Sequence, residues 1–164
     1  MPATYDSRDI AAYIAQQCRD QGIAYNNTKI QKLLYCAYGI LLAKSGERIC
    51  DEYPRVWDYG PVFPKVFKYI YKGNDIAQYS NRIRDSKLDN DQLLKVVDQT
   101  IATFGQYRAT QLSAWTHKKG SPWYRAVNGD NANEAAGLYG FIPDDFIRDY
   151  FCERVLPYVE RQER

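Results

Sequence analysis

The sequence predicts a mainly α-helical fold, a single compact helical domain of about seven helices with a short extended ribbon around residues 47–59. Apolar residues recur every three or four positions along most of the chain, which is the period of an amphipathic helix. Residues that cap or end helices separate these stretches. The 164 residues contain no repeat, low-complexity tract or linker, so residues 1–164 are predicted to form one domain.

The first two helices have the clearest predicted limits. Asp6 and Ser7 can cap the first helix, which should end near Gly22. Residues 26–28 supply the cap of the second helix, and residues 45–46 close it. The middle of this second helix is apolar nearly all round, so we expect it to lie at the centre of the core.

The stretch after the second helix changes character. Residues 47–59 include a proline and alternate in places, which favours an extended ribbon or an ordered loop. Pro61 is expected at the first position of a third helix that ends at residues 73–74. Residues 76–83 are mixed in character, and we expect part of them to be extended.

The remaining helices are predicted from residues that favour helix starts. These are a capping box at Asp89 and Gln92, a cap at Thr110, a Ser-Pro pair at Ser121 and Pro122, and Pro143 followed by Asp144. Residues 128–137 should form a polar loop. Pro157 should kink or end the last helix because it lacks an N–H group.

Charge and hydropathy argue against two classes of function, nucleic-acid binding and membrane spanning. The net charge is only +2, and no recognition helix rich in Arg, Asn and Gln is apparent, so direct nucleic-acid binding is not expected. Lys65, Lys68 and Lys72 share one helical face, either as a solvated ridge or as a patch for an acidic partner. The longest near-apolar run, residues 33–43, is too short to span a bilayer. With no apparent signal segment, the sequence predicts a cytoplasmic protein without membrane contact.

The sequence offers little for catalysis, a metal or a cofactor. The four cysteines are dispersed and His117 is the only histidine, so a zinc site is not expected. Cys36 lies within the apolar core helix, where a thiol is inert. His117 follows a short helix, where it would cap the C-terminus or make a structural hydrogen bond. The chain is therefore predicted not to be an enzyme, although a site using Thr116, His117 and a nearby acid stays open as an alternative.

Three stretches carry a resemblance to a known family. They are KIQKLLY at residues 29–35, VWDYGPVFP at residues 56–64, and LSAWTHKKGSPW at residues 112–123. In this order and spacing they are similar to the Panacea domain of SocA-like antitoxins, a family that also includes phage-associated proteins. The resemblance covers about residues 7–155, which would form the core of the domain.

The resemblance implies a helical antitoxin that neutralises a cognate toxin protein by direct binding, as one half of a type II-like toxin–antitoxin pair. Toxins paired with this family include nucleotide-transferring enzymes that modify tRNA. Two alternatives stay open: a protease adaptor that delivers its toxin for degradation, and a phage or mobile-element regulator that binds another host protein. A homo-oligomer is compatible with each of them.

The motif residues form the candidate partner-binding or family-motif set. They are Lys29, Gln31, Lys32, Tyr35, Trp57, Tyr59, Gly60, Pro61, Thr116, His117, Ser121 and Trp123. Gly60 and Pro61 are expected to turn the ribbon into a helix, and the two tryptophans to anchor turns on the core. Six of the motif residues have polar side-chain ends that a core does not need, so we expect these six to share a polar network or groove. They are Lys29, Gln31, Lys32, Tyr59, Thr116 and His117.

Overall fold

The computed structural model describes residues 5–79, 90–128 and 140–163. Its α-helices are α1 (Ser7–Asp20), α2 (Asn27–Ser45), α3 (Pro64–Tyr71), α4 (Asp91–Phe104), α5 (Ala109–Thr116), α6 (Pro122–Asn128), α7 (Asp144–Tyr150) and α8 (Leu156–Gln162). A π-helical turn, Phe151–Val155, joins α7 to α8, so the described residues form seven helical rods. The two strands β1 (Arg55–Trp57) and β2 (Gly60–Val62) pair antiparallel. The predicted mainly α fold with a short ribbon is confirmed.

Helix α2 lies at the centre of the molecule. It contacts α1, α3, α4, α5, α7, the π-helical turn and β2. All its residues from position 29 to position 42 are buried, as its near all-round apolar middle predicts. At Gly39 the absence of a side chain brings the Phe151 ring onto the helix backbone, since a Cβ there would lie 2.4 Å from the ring.

The predicted starts of three helices are confirmed by their caps. The Asp6 carboxylate accepts a hydrogen bond from the Arg8 amide at 2.8 Å at the start of α1. The Asn26 side chain accepts one from the Lys29 amide at 2.9 Å and caps α2. The Ser121 hydroxyl does the same for Tyr124 at 3.1 Å, and α6 begins at Pro122. These caps involve neighbours in sequence, which is why the sequence shows them.

The ribbon and the third helix begin later than predicted. Pro61 is not the first residue of a helix; it lies in β2, opposite Val56. Pro64 takes the first position of α3 instead. Both prolines precede apolar residues at helical spacing, so the local signal is the same at either one. Gly60 and Pro61 therefore do not turn the ribbon into a helix.

Two further helix starts are displaced by a residue or two. The N-cap of α4 is Asn90, whose side chain accepts from the Leu93 amide at 3.1 Å, whereas the predicted cap Asp89 lies outside the described residues. Thr110 lies inside α5 rather than capping it. The Gln111 side chain accepts from the Arg108 amide at 2.8 Å and stabilises this start.

Only the beginning of two other predicted stretches can be compared with the structure. Residues 76–78 form a short 3₁₀-helical turn rather than an extended segment, because the Asp75 carboxylate accepts from the Ala77 amide at 3.1 Å and caps it. Asn128, the first residue of the predicted loop 128–137, is the last residue of α6. Residues 80–83 and 129–137 lie outside the described residues.

Pro157 does not end the last helix; it is the second residue of α8, directly after the π-helical turn. The π-helical turn lies just before it, and there the Leu156 amide donates to the carbonyl of Phe151, five residues earlier. Buried apolar residues recur every four positions along this rod, at Ile147, Phe151, Val155 and Val159. A spacing of four drifts around an α-helix of 3.6 residues per turn, and a wider turn compensates for that drift.

None of the helices that the structure describes is long and apolar enough to cross a lipid bilayer.

Candidate functional site

Lys32 lies at the centre of the candidate site, on the first half of α2. Its side chain is buried, with 1% of its surface exposed, and its ammonium group donates a hydrogen bond to the Pro61 carbonyl at 2.9 Å. No described carboxylate forms an ion pair with it. Burial lowers the pKa of Lys32 to about 8. A cation is thus held beneath the ribbon mainly by a backbone dipole.

Gly60 allows the ribbon to approach Lys32 and α5 closely. Its φ of 109° lies in the region that favours glycine, and a Cβ there would lie 2.6 Å from the Thr116 hydroxyl and 3.2 Å from the Lys32 Cε. The Thr116 hydroxyl donates to the Ser113 carbonyl at 2.9 Å. The Ser113 hydroxyl in turn donates to the Tyr59 carbonyl at 2.6 Å. All three sequence motifs therefore meet at this turn.

Gln31 fastens the far end of the ribbon to α2. Its side-chain oxygen accepts from the Phe63 amide at 2.7 Å, and its side-chain nitrogen donates to the Phe63 carbonyl at 3.3 Å. The same nitrogen lies 3.3 Å from the Asn27 side-chain oxygen. Because Gln31 is only 2% exposed, these bonds satisfy a polar group that would otherwise be costly to bury.

The two tryptophans and the histidine form a second part of the site. The Trp123 indole donates to the Trp57 carbonyl at 2.8 Å, which fixes α6 against β1. His117 occupies the C-cap position of α5 through its backbone amide, and its ring meets Trp123 edge-on with ring centroids 5.4 Å apart. Its buried Nδ1 has no hydrogen-bond partner among the described residues.

An open cleft of about 370 Å³ lies between the ribbon, α2 and α3, and we call it the ribbon cleft. Its lining residues are Asn27, Thr28, Gln31, Lys32, Trp57, Asp58, Tyr59, Val62 and Phe67. Tyr59 stands in the open with 76% of its surface exposed, while Trp57 packs edge-on against Phe67 with ring centroids 4.9 Å apart. The cleft therefore combines aromatic walls with polar groups of α2.

The structure brings only part of the predicted set to the ribbon cleft. Gln31, Lys32, Trp57 and Tyr59 line it. Gly60, Pro61 and Thr116 are linked to Lys32 through the contacts given above. His117, Trp123 and Ser121 lie outside its lining, on α6 and the segment before it.

Two predicted residues lie away from the cleft. Tyr35 is 1% exposed and packs edge-on against Phe151 in the core, with ring centroids 5.5 Å apart, so its side chain cannot reach a partner. Lys29 lines a shallow depression shared with Arg108 rather than the cleft.

The predicted basic face of α3 is divided in the structure. Partial burial lowers the pKa of the Lys65 ammonium group, but its pairing with Asp51 at 2.7 Å and Asp6 at 3.3 Å outweighs this effect and leaves the pKa raised. Lys68 and Lys72 are exposed. Two of the three lysines are therefore left for solvent or a partner.

Asp58 and Phe67 belong to the cleft although the sequence did not single them out. Asp58 stands between two predicted residues in the motif at residues 56–64, so an acidic side chain within an aromatic stretch was an available signal. The sequence gives no such signal for Phe67, because an aromatic residue at helical spacing is typical of a core position.

The chain belongs to the SocA-like antitoxin family. The family model described as "Antitoxin SocA-like, Panacea domain" matches residues 30–124, which include every lining residue of the ribbon cleft except Asn27 and Thr28. The chain is also 30% identical over 161 residues to the protein named Antitoxin SocA from Caulobacter vibrioides (strain NA1000 / CB15N). That similarity covers 92% of this chain and 84% of the relative. No solved structure matches the chain.

Proposed function

We propose that this protein is the antitoxin of a type II-like toxin–antitoxin pair and neutralises its cognate toxin by direct binding. Membership of the SocA-like antitoxin family supports the antitoxin role. The observation that carries direct binding is the ribbon cleft, which the family motifs build and which presents the exposed Tyr59 beside a buried, unpaired cation.

The ribbon cleft suits a protein anchor. Trp57, Tyr59 and Phe67 supply aromatic surface of the kind that dominates binding energy in protein interfaces. The exposed Asp58 and the half-buried Asn27 and Thr28 supply polar groups that would orient the anchor. Gln31 and Lys32 are buried and hold the ribbon that forms the cleft wall. A stable complex needs about 1,200 Å² or more of buried surface, so the toxin must also cover the surroundings of the cleft.

The first experiment is co-expression of this chain with the product of the adjacent gene, with growth and co-purification as the readouts. Rescue of growth with a stable complex is the expected result. Rescue without a complex, or rescue that is lost in a host lacking its cytoplasmic proteases, would replace direct neutralisation with the adaptor function. If the neighbouring product is not toxic and does not bind, the antitoxin proposal fails for that pair.

The cleft itself is tested by truncating its exposed aromatic residue. Tyr59→Ala should weaken toxin binding by about thirtyfold, since loss of an interface hot spot costs about 2 kcal/mol. Tyr53→Ala is the matched control because Tyr53 is 37% exposed and its ring contacts Phe141 and Arg48, none of which lines the cleft. Calorimetric titration of the purified toxin would measure both. Equal effects of the two substitutions would place the contact elsewhere.

The proposal assigns no catalytic role to His117. Its ring packs against Trp123, and no described carboxylate forms a hydrogen bond or an ion pair with it. His117→Gln should therefore leave neutralisation intact in the growth assay. Loss of neutralisation by a folded His117→Gln variant that still binds the toxin would favour the enzymatic alternative.

A further inference from the structure

A second groove lies between α5 and the rod formed by the π-helical turn and α8, and we call it the arginine groove. Its volume is about 480 Å³, and it shares no lining residue with the ribbon cleft. Its aromatic lining comes from Phe104, Tyr107, Trp115 and Tyr158, whereas Arg154 and Arg161 bring positive charge to it.

The aromatic residues of this groove hold one another in place. Phe104 stacks on Trp115 with ring centroids 5.4 Å apart and lies 6.4 Å from the ring of Tyr158. The hydroxyl groups of Tyr107 and Tyr158 are 3.2 Å apart, within hydrogen-bond distance. Tyr107 is 39% exposed, so apolar ring surface remains open to solvent. A groove ordered in advance loses little conformational entropy when it binds.

The two arginines have no acidic partner within the described part of the chain. Both are exposed, and neither forms an ion pair there. Arg154, Tyr158 and Arg161 follow at spacings of four and three, which places them along one side of the rod. At about 1.5 Å of rise per residue, the two arginines are about 10 Å apart along its axis. This separation matches two side chains about two turns apart on a partner helix.

We propose that the arginine groove binds an amphipathic helix of a partner protein, one with a large apolar side chain between two carboxylates about two turns apart. The apolar side chain would pack on Tyr107 and Trp115, and each carboxylate would pair with one arginine. This is the helix-in-groove mode of recognition. The π-helical turn carries Arg154, and such turns occur frequently at functional sites. The inference is independent of the toxin contact at the ribbon cleft.

Designed peptides test the proposal with the full chain and without the toxin. A fluorescein-labelled, alanine-rich helical peptide would carry Leu and Trp between two Glu residues seven positions apart, and its binding would be followed by fluorescence anisotropy. We expect binding at least about tenfold tighter than that of the same peptide with Gln in place of Glu. The double variant R154E/R161E should lose the Glu peptide and bind a version with Lys at both positions.

The variant K68E/K72E is the matched control, since it makes the same change in net charge on exposed residues of the α3 side. It should bind the Glu peptide as the unchanged protein does, and far-ultraviolet circular dichroism would show that both double variants fold. Equal affinity for the Glu and Gln peptides, equal loss in the two double variants, or no peptide binding would overturn the proposal. Displacement of the peptide by micromolar ATP or inorganic triphosphate would overturn it in favour of a small anionic ligand.

Discussion

At the scale of single residues, Gly60 allows the close contact of the ribbon with Lys32 and Thr116 on which the candidate site depends. Gly60→Ala would combine a backbone conformation that costs about 1–3 kcal/mol for other residues with a Cβ 2.6 Å from the Thr116 hydroxyl. We expect the free energy of unfolding to fall by about 3 kcal/mol or more, measured by urea denaturation. Toxin binding should fall as well, because the turn that presents Tyr59 would shift.

Gly120→Ala is the matched control for this prediction. Gly120 has a φ of 90° but nothing within 4 Å of its Cβ position, so only the backbone cost applies. The difference between the two substitutions measures the contact of the ribbon with α5. If Gly60→Ala is no more destabilising than Gly120→Ala, the close approach at Gly60 does not exist in solution.

Lys32 makes a prediction about pH. Burial lowers its pKa from 10.5 to about 8 in the folded chain, so between these values the unfolded chain binds more protons than the folded one. Stability contributed by this group must therefore rise with pH across that interval, by up to about 1.4 kcal/mol per pH unit. Measured at each pH by urea denaturation, the free energy of unfolding of the protein should rise relative to that of a Lys32→Met variant. Parallel curves between pH 7.5 and 9.5 would contradict a depressed pKa.

At the scale of secondary structure, local signals were sufficient for some elements and not for others. The starts of α1 and α2 were predictable because Asp6 and Asn26 bond to amides two or three residues ahead. Which of Pro61 and Pro64 begins α3 was not predictable, because contacts with Lys32 and Gln31 on α2 hold the ribbon in place. The π-helical turn was missed for a similar reason, since it serves packing against the rest of the core.

The candidate site, like the helices and strands, was predictable from the sequence only in part. Gln31 and Lys32 carry polar ends on an otherwise apolar helix, and this contrast in the sequence predicts that they belong to a site. Tyr35 belongs to the predicted set as the last residue of the motif at residues 29–35, and it contacts Phe151 in the core. A motif on a helix that is buried all round does not show which neighbour each of its residues contacts.

The packing of α2 against the C-terminal rod gives a prediction for Gly39. Alanine normally stabilises the interior of a helix by about 1 kcal/mol relative to glycine. At Gly39 the new Cβ would overlap the fully buried Phe151 ring, and overpacking costs about 1–3 kcal/mol. Gly39→Ala should therefore lower the melting temperature, measured by circular dichroism, in spite of its better helix propensity.

A double-mutant cycle supplies the control for Gly39. Phe151→Leu removes ring atoms that the new methyl group would meet, at its own cost in lost burial. Gly39→Ala should be less damaging in the Phe151→Leu background than in the unchanged protein, a sign of coupling between contacting residues. Additive effects would mean that the ring and the helix backbone are not in contact.

At the scale of the whole molecule, α2 makes the remaining elements depend on one another. It contacts helices that precede and follow it as well as the ribbon, and the C-terminal rod returns to pack on it through Phe151. Three tryptophans report on different parts of this arrangement, with Trp57 in the ribbon, Trp115 on α5 and Trp123 on α6. No part of the described fold has a core that excludes α2.

Because α2 contacts most of the other elements, and α6, α8 and β1 pack on elements that contact it, we predict that the chain unfolds as one domain in a single cooperative transition. Urea denaturation followed by far-ultraviolet circular dichroism, which reports helices, and by tryptophan fluorescence should give coincident curves. The calorimetric heat-capacity change should be about 2 kcal/mol/K, the value expected when all 164 residues unfold together. Separated curves, or a calorimetric enthalpy that exceeds the van't Hoff value, would show that the ribbon and α6 unfold apart from the helical core. In that case the ribbon cleft would have to be ordered by the toxin rather than formed before binding, and binding would carry the larger heat-capacity change typical of coupled folding.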